Sequence, residues 1–393
     1  MRLSLVTLTV GAFGIGMTEF VMMGILPDLS EAFSVSIPVA GYLIAAYAVG
    51  VVVGAPLLVG MLGSQPPKRL LIFFMIMFTL GNGISALSPN YITLLLMRFI
   101  SGLPHGAFFG VGAVVATRLA EPGREARSIS VMFAGLTIAN IIGVPLGTYL
   151  GHTFGWRFTF LAVAIVGVLA IVSIRQWMPK LEPTPGASLR RDLKVFTRVE
   201  PWLIIGITMI GTGGLFAWFS YIAPLMTEVA GFSSEALTYI LMIAGVGMAI
   251  GNFIGGRLAD RSPLKAAQIL LLNMAVVLIV LVVAVHYKPT ALLVTFITGA
   301  SAFALGAPLQ MLMIRAAKGA EMLASSVTQG AFNVGNALGA YLGGVPIALG
   351  YGYTSPEWVG AGLALVGLAI ALFAARYQRN DVAPAYAVVE AEG

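Results

Sequence analysis

Two ionisable residues set inside long apolar stretches are the first candidates for chemistry in this chain. Glu19 is surrounded by Phe13, Phe20, Val21, Met22 and Met23, and Arg98 is the only base inside such a stretch. An ionised side chain at bilayer depth costs about 2.5–3.5 kcal/mol on insertion scales. Such surroundings disfavour the charged form of Glu19, so its carboxyl can take up a proton and release it when access changes. The alternative is a static acid paired with a base to fix helix packing. An Arg at that depth turns to the bundle interior and a partner. For Arg98 that partner is Glu19, an anionic substrate, or backbone carbonyls to which it anchors. In the coupled reading, protonating Glu19 weakens its attraction to Arg98 and shifts an inward–outward equilibrium.

Further polar and aromatic residues could line a cavity. His105 follows Pro104 and either relays protons or makes an interhelical hydrogen bond. Asn140, Gln329, Asn333 and Asn336 are neutral polar groups at similar depth; Asn333 and Asn336 lie three apart, on one helical face. They either line a cavity or bond neighbouring helices. Tyr42, Tyr47, Phe108, Phe109, Phe216, Trp218, Phe219, Tyr221 and Gln310 come from segments expected to meet centrally. Aromatic faces and a few hydrogen bonds suit an amphipathic or sugar-like ligand. With no Cys and three scattered His, no metal site is expected. There is no HExxH, GxGD, Gly-x-Ser-x-Gly or P-loop pattern, so neither intramembrane enzyme chemistry nor direct use of ATP is expected.

The elements that must position these residues are apolar runs long enough to cross a membrane, which takes about 20 residues each. Helices are predicted over 4–28, 39–62, 69–88, 91–118, 126–150, 157–179, 201–229, 236–257, 265–285, 290–315, 322–349 and 357–377. Hydrophobic residues make up 59% of the chain and charged residues only 10%, which excludes an ordinary soluble domain. Of the 22 Lys and Arg residues, all but Arg98, Arg157 and Lys288 fall in alternate gaps or at the termini. The positive-inside rule then places both termini in the cytoplasm and makes the number of spans even. The net charge of +6 is spread over these loops, where it sets orientation and meets anionic lipid rather than nucleic acid. The first apolar run is too long for a signal peptide and contains Glu19, so it is read as the first helix.

One gap is long. Glu182-Pro183-Thr184-Pro185-Gly186 and the basic stretch Arg190-Arg191-Asp192-Leu193-Lys194 read as a cytoplasmic linker, with room for a short interfacial helix. The chain divides into a bundle over 1–179, a linker over 180–200, a second bundle over 201–377 and a disordered tail over 378–393. The halves echo each other at an offset of about 196 residues. Gly50-x3-Gly54 with Gly60-x-Leu62 matches Gly247-x3-Gly251 with Gly256-x-Leu258, and Gly143, Gly147 and Gly151 match Gly335, Gly339 and Gly343. Glycines four apart favour close helix packing, and their matched placement points to duplicated halves with a site at the interface.

With Gly16-Met17-Thr18-Glu19-Phe20, the segment from Arg98 to Gly112, Gly143-Val144-Pro145-Leu146-Gly147 and Ala316-Ala317-Lys318-Gly319-Ala320-Glu321, the chain resembles the major facilitator superfamily over its whole length. Within it, the chain is most similar to the bacterial twelve-helix drug:proton antiporter group of sugar, purine and drug exporters. The resemblance implies an all-α protein of two pseudo-symmetric six-helix bundles, probed from both sides by one central site. It also implies a monomer in the bacterial inner membrane, with a small-molecule substrate, the proton as coupling ion and no cofactor. In that family the fourth-helix Arg, here Arg98, takes part in proton coupling. Gly256-Arg257-Leu258-Ala259-Asp260-Arg261 fits the family's loop signature, in which the acid caps a helix start and pairs with loop Arg. The first-half copy, from Gly60 to Lys68 and Arg69, has Ser64 where the acid belongs. Gly135, Gly143, Pro145 and Gly147 fit the fifth-helix pattern of antiporters, giving a bend that can rock. Export is therefore expected over facilitated diffusion or sugar symport.

Overall fold

A helix satisfies its own backbone hydrogen bonds, which is why apolar runs of this length fold as helices in hydrocarbon. The computed structural model describes residues 3–35, 37–183, 189–233 and 236–391, and among these it is helical with no strand. The first half comprises α1 (Leu3–Ala32), α2 (Ile37–Leu62), α3 (Pro67–Ala86), α4 (Tyr91–Arg118), α5 (Glu125–Phe154) and α6 (Trp156–Trp177). The second comprises α7 (Val199–Phe219), α8 (Leu237–Arg261), α9 (Pro263–Ala284), α10 (Lys288–Ala316), α11 (Glu321–Ala348) and α12 (Ser355–Ala391). Eleven of the twelve are long and apolar enough to span a membrane. The exception, α11, is 28 residues long but carries Ser325, Ser326, Thr328, Gln329, Asn333 and Asn336. Its polarity belongs to the central site it lines.

Local chemistry sets several ends. Pro67 and Pro263 start α3 and α9, where a missing backbone N–H costs nothing. Asn90 caps α4, its Oδ1 accepting from the N–H of Thr93 at 2.9 Å. Three features depart from the sequence reading. The wide π turn Ala139–Gly143 lies immediately before Pro145 in α5, where proline removes a ladder hydrogen bond. α7 contains a second π turn, Ile207–Gly211, and ends at Phe219; Ser220 and Tyr221 interrupt the expected 201–229 span before Ile222–Val229 continues. α12 carries on to Ala391, where a disordered tail is expected. The linker holds the short helix Leu189–Asp192 and a 3-10 turn over Leu193–Thr197. Its residues 184–188, which include Thr184-Pro185-Gly186, lie outside the described residues, as do Met1, Arg2, Ser36, residues 234–235 and residues 392–393.

The glycine repeats pack equivalent helix pairs. A Cβ at Gly54 of α2 would run into the backbone of Leu103 in α4, and one at Gly251 of α8 into that of Ala300 in α10. Likewise Gly143, Gly147 and Gly151 of α5 meet Phe13, Val21 and Ile25 of α1. Gly335, Gly339 and Gly343 of α11 meet Met209, Gly213 and Ala217 of α7. Backbones this close replace the hydrophobic driving force that lipid removes. The halves meet chiefly where α5 packs on α8, and α2 and α4 pack on α11.

Candidate functional site

A cavity lies at the junction of the halves, lined by α1, α4 and α5 from the first and α7, α8, α10 and α11 from the second. Its wall is mostly aromatic and apolar: Phe20, Phe133, Phe216, Phe303 and Phe332 contribute. Its polar groups are Glu19, His105, Thr212, Asn252, Gln329, Asn333 and Asn336. A large apolar lining with a few convergent polar groups is the make-up of a small-molecule site.

Glu19 reaches this cavity from the middle of α1 and is half-buried. Arg98, from α4, is fully buried behind it. Its Nη1 donates to the Thr18 carbonyl at 3.2 Å and to the Thr18 hydroxyl at 3.0 Å, and its Nε to the Leu43 carbonyl at 3.3 Å. The Thr18 hydroxyl donates in turn to Asn82 of α3 at 2.7 Å. The guanidinium stacks on the Tyr47 ring, 4.3 Å from its centre, and its Nη2 is buried without a hydrogen-bond partner. Glu19 and Arg98 form no ion pair. The Tyr47 hydroxyl lies 3.0 Å from Nδ1 of His105, whose ring reaches the cavity. A polar chain thus runs from Asn82 through Thr18, Arg98 and Tyr47 to His105.

On the facing wall, α11 arranges its amides with α10. Gln329 Nε2 donates to Oε1 of Gln310 at 2.9 Å, Gln310 Nε2 donates to Ser325, and Asn333 Nδ2 donates to the Gln329 carbonyl at 3.1 Å. These bonds fix Gln329 and Asn333 at the cavity surface. Asn252 of α8 is clamped to α5: its Nδ2 donates to the Ser130 carbonyl at 2.6 Å, and the Ser130 hydroxyl donates to the Asn252 carbonyl at 2.9 Å. Its Oδ1 remains buried without a partner.

The loop motifs lie on the side of the molecule where the linker runs. Asp260, at the end of α8, accepts from the N–H of Ala126 at 2.8 Å and of Arg127 at 3.3 Å, and pairs with Arg127 Nε at 2.9 Å. It therefore holds the start of α5, joining the two halves. Gly256 of the same motif packs against Ser130. Arg261 is exposed. In the first half Ser64 and Arg69 are exposed, whereas Lys68 Nζ donates to the Arg175 carbonyl at 2.9 Å, tying α3 to α6 within one bundle. Gly60 packs against Leu189 of the linker. Gly135 meets α1 at Thr9 and Phe13, and Gly143 and Gly147 also line the α1 contact, with Pro145 beside the π turn.

Of the residues singled out from sequence as cavity candidates, the structure brings His105, Phe216, Gln329, Asn333 and Asn336 to the cavity together with Glu19. Gln310 and Tyr47 sit one layer behind, bonded to Gln329 and His105. Tyr42 is 60% exposed and does not line the cavity, and Phe108 is fully buried against Phe109 and Gly11. Asn140 bonds back to the Leu136 carbonyl in its own helix. Trp218 is fully buried in the second bundle, and Tyr221 donates to the Ala340 carbonyl at 2.8 Å. Sequence reasoning missed Thr212, Asn252 and the wall side chains Phe133, Phe303 and Phe332. Asn252 was open to discovery as an amide inside a span; nothing in the sequence separates a cavity-facing Phe from a lipid-facing one.

Twelve helices in two duplicated bundles, with a mostly apolar cavity carrying a few polar groups at their junction, define a multi-pass membrane transporter. The chain belongs to the Major Facilitator Superfamily, whose family model matches residues 8–325. It is 40% identical to the putative transporter AraJ of Escherichia coli (strain K12) over 384 residues, covering 98% of each chain. It is 42% identical to the inner membrane transport protein YdhP of the same organism, over 96% of this chain and 97% of that one. A chloramphenicol resistance protein of Streptomyces lividans is 30% identical over 98% of this chain and 99% of its own. Among solved structures, the E. coli transporter FucP in its outward conformation superposes with a TM-score of 0.76 at 16% identity, over 94% of this chain and 98% of that one. That likeness is one of fold.

Proposed function

We propose that the protein is a proton-coupled exporter of a small sugar- or drug-like molecule, working by alternating access from the bacterial inner membrane with both termini in the cytoplasm. The observation that carries the reading is the placement of the Glu19 carboxylate on the cavity wall, unpaired, with the Arg98 guanidinium buried behind it. A proton and whatever enters the cavity compete for a carboxylate in that position. Ligand binding expels the proton; re-protonation after the site changes sides expels the ligand. The aromatic wall and the amides of Gln329, Asn333 and Asn336 suit an amphipathic cargo. Similarity to a chloramphenicol resistance protein and to an inner membrane transport protein supports the direction and the membrane. The basic residues of the linker side support a cytoplasmic placement for that side.

The test is proton release on ligand addition to purified protein in weakly buffered detergent, over a panel of sugars, nucleosides and lipophilic drugs. The proposal expects a ligand that releases protons from the wild type and binds Glu19→Gln without doing so. Binding without proton release in the wild type would instead favour facilitated diffusion.

A further inference from the structure

α5 and α11 begin with the same turn. Gly123 and Gly319 take left-handed φ angles of 78° and 89°. The cap residues that follow share one non-helical conformation, φ −127° and ψ 24° at Arg124, and φ −136° and ψ 27° at Ala320, and neither caps its helix through its side chain. Glu125 and Glu321 then open the helices, accepting from the N–H of Gly123 at 3.2 Å and of Gly319 at 2.9 Å. The next amides of a helix start need acceptors from elsewhere. For α5 they are Ala126 and Arg127, and Asp260 reaches over from α8 to take both.

The duplication sets the same task at α11, for the amides of Met322 and Leu323, and would draw the acceptor from the end of α2. The residue at that place is Ser64, which is exposed. A different acid stands at the start of α11. Asp192, on the linker, is only 7% exposed and shares a small cavity with Gly63, Gly319, Ala320, Glu321 and Met322. It ends the short helix Leu189–Asp192, whose Leu189 lies against Gly60 of α2 so closely that a Cβ there would come within 2.8 Å of it. The neighbouring Arg190 is exposed, while Arg191, Lys194 and Arg198 line a separate basic recess with Lys318. Within a basic stretch, the one acid is the residue turned inward.

We infer that Asp192 supplies the carboxylate that the end of α2 lacks, holding the start of α11 and closing the linker side. The two halves are then latched at two equivalent places by different means. One latch is carried by α8 directly; the other passes from α2 through the linker to α11. The short helix Leu189–Asp192 is thereby part of the gate, and Asp192 is a positioning residue for the closed state. The inference assumes alternating access but neither a cargo nor proton coupling, so its test uses neither.

The chain has no Cys, so Glu121→Cys and Lys318→Cys, both exposed, accept a pair of spin labels that report the separation of the α5 and α11 starts. In nanodiscs, Asp192→Ala should raise the ratio of long to short distances by about fivefold or more, the scale of losing charge-assisted hydrogen bonds. Asp192→Asn, which keeps the shape, should move it in the same direction and serves if the Ala variant does not fold. Adding Ser64→Asp to either variant should restore the short distance, because the acid is returned from the place the duplication assigns. An unchanged distance distribution in Asp192→Asn, or failure of Ser64→Asp to restore it in folded protein, would overturn the inference. A linker that merely packs is not repaired from position 64.

Discussion

Arg98 bonds Thr18 and leaves its neighbour Glu19 unpaired. The guanidinium gives Nη1 to both the carbonyl and the hydroxyl of Thr18, stacks on Tyr47 and keeps Nη2 free, fully buried. A direct ion pair would hold the carboxylate charged; an adjacent, unpaired guanidinium stabilises the charge without trapping it. In the proposed reading, this leaves the Glu19 carboxyl free to take up and release a proton.

The first prediction concerns Arg98. Arg98→Lys keeps the charge but gives up the planar fork that reaches Thr18 and Leu43 together. Transport driven by a pH gradient should fall about tenfold or more in Arg98→Lys, a loss on the order of 1.4 kcal/mol at the coupling step. Thermal stability in detergent should drop less than in Arg98→Leu, which removes the donor to the Leu43 carbonyl and to the Thr18 hydroxyl and carbonyl. Flux assays beside a melting curve check both.

Asp260 should act as a latch. Its side chain is 5% exposed, and it takes two backbone amides and the Arg127 side chain. Asp260→Asn loses the charge-assisted part of these bonds, about 1.5–3 kcal/mol. The linker-side closed state should lose at least about tenfold in population. Accessibility of a cysteine placed in the cavity to a reagent applied from the linker side should rise accordingly.

Gly251 should tolerate no side chain. A Cβ there overlaps the Ala300 backbone in α10, which cannot turn aside as a side chain can. Gly251→Val should cost about 3 kcal/mol or more, above the usual overpacking range, and reduce folded yield. Gly362→Ala, where nothing lies within 4 Å, is the control and should leave yield unchanged. Size-exclusion profiles of the two variants make the comparison.

The clamp between Asn252 and Ser130 should separate gating from coupling. Asn252→Ala removes a buried amide that joins α8 to α5 and that also faces the cavity. Ligand affinity and the linker-side closed population should fall together, by about fivefold or more each, the scale of one buried hydrogen bond. Glu19→Gln should leave the closed population much less affected. Binding and accessibility measured on the same preparations distinguish the two effects.

The helices were legible because hydrocarbon length and backbone satisfaction leave little choice: the predicted 91–118 coincides with Tyr91–Arg118, and 39–62 differs from Ile37–Leu62 by two residues at one end. The duplication was legible because its glycines mark backbone contacts, which a sequence records directly. The interruptions were not. The break at Ser220–Tyr221 lies in a run whose hydropathy does not change, and although Pro145 marks a bend in α5, nothing in the sequence gives that distortion the form of a π turn over Ala139–Gly143. For the cavity, charge was informative and aromaticity was not. Glu19 and Arg98 stand out against any apolar background, whereas Tyr42 and Phe216 look alike until packing leaves one exposed and sets the other on the cavity wall. Asp192 was hidden by its company, since an acid in a basic loop reads as a solvated charge until the fold buries it.

The most direct test of the account is substrate-dependent proton movement in proteoliposomes, measured for the wild type and Glu19→Gln with a pH-sensitive dye in the lumen. The account predicts that substrate flux in the wild type is accompanied by counter-movement of protons, and that Glu19→Gln, folded and still able to bind, moves none. Proton movement of wild-type size in Glu19→Gln would contradict it.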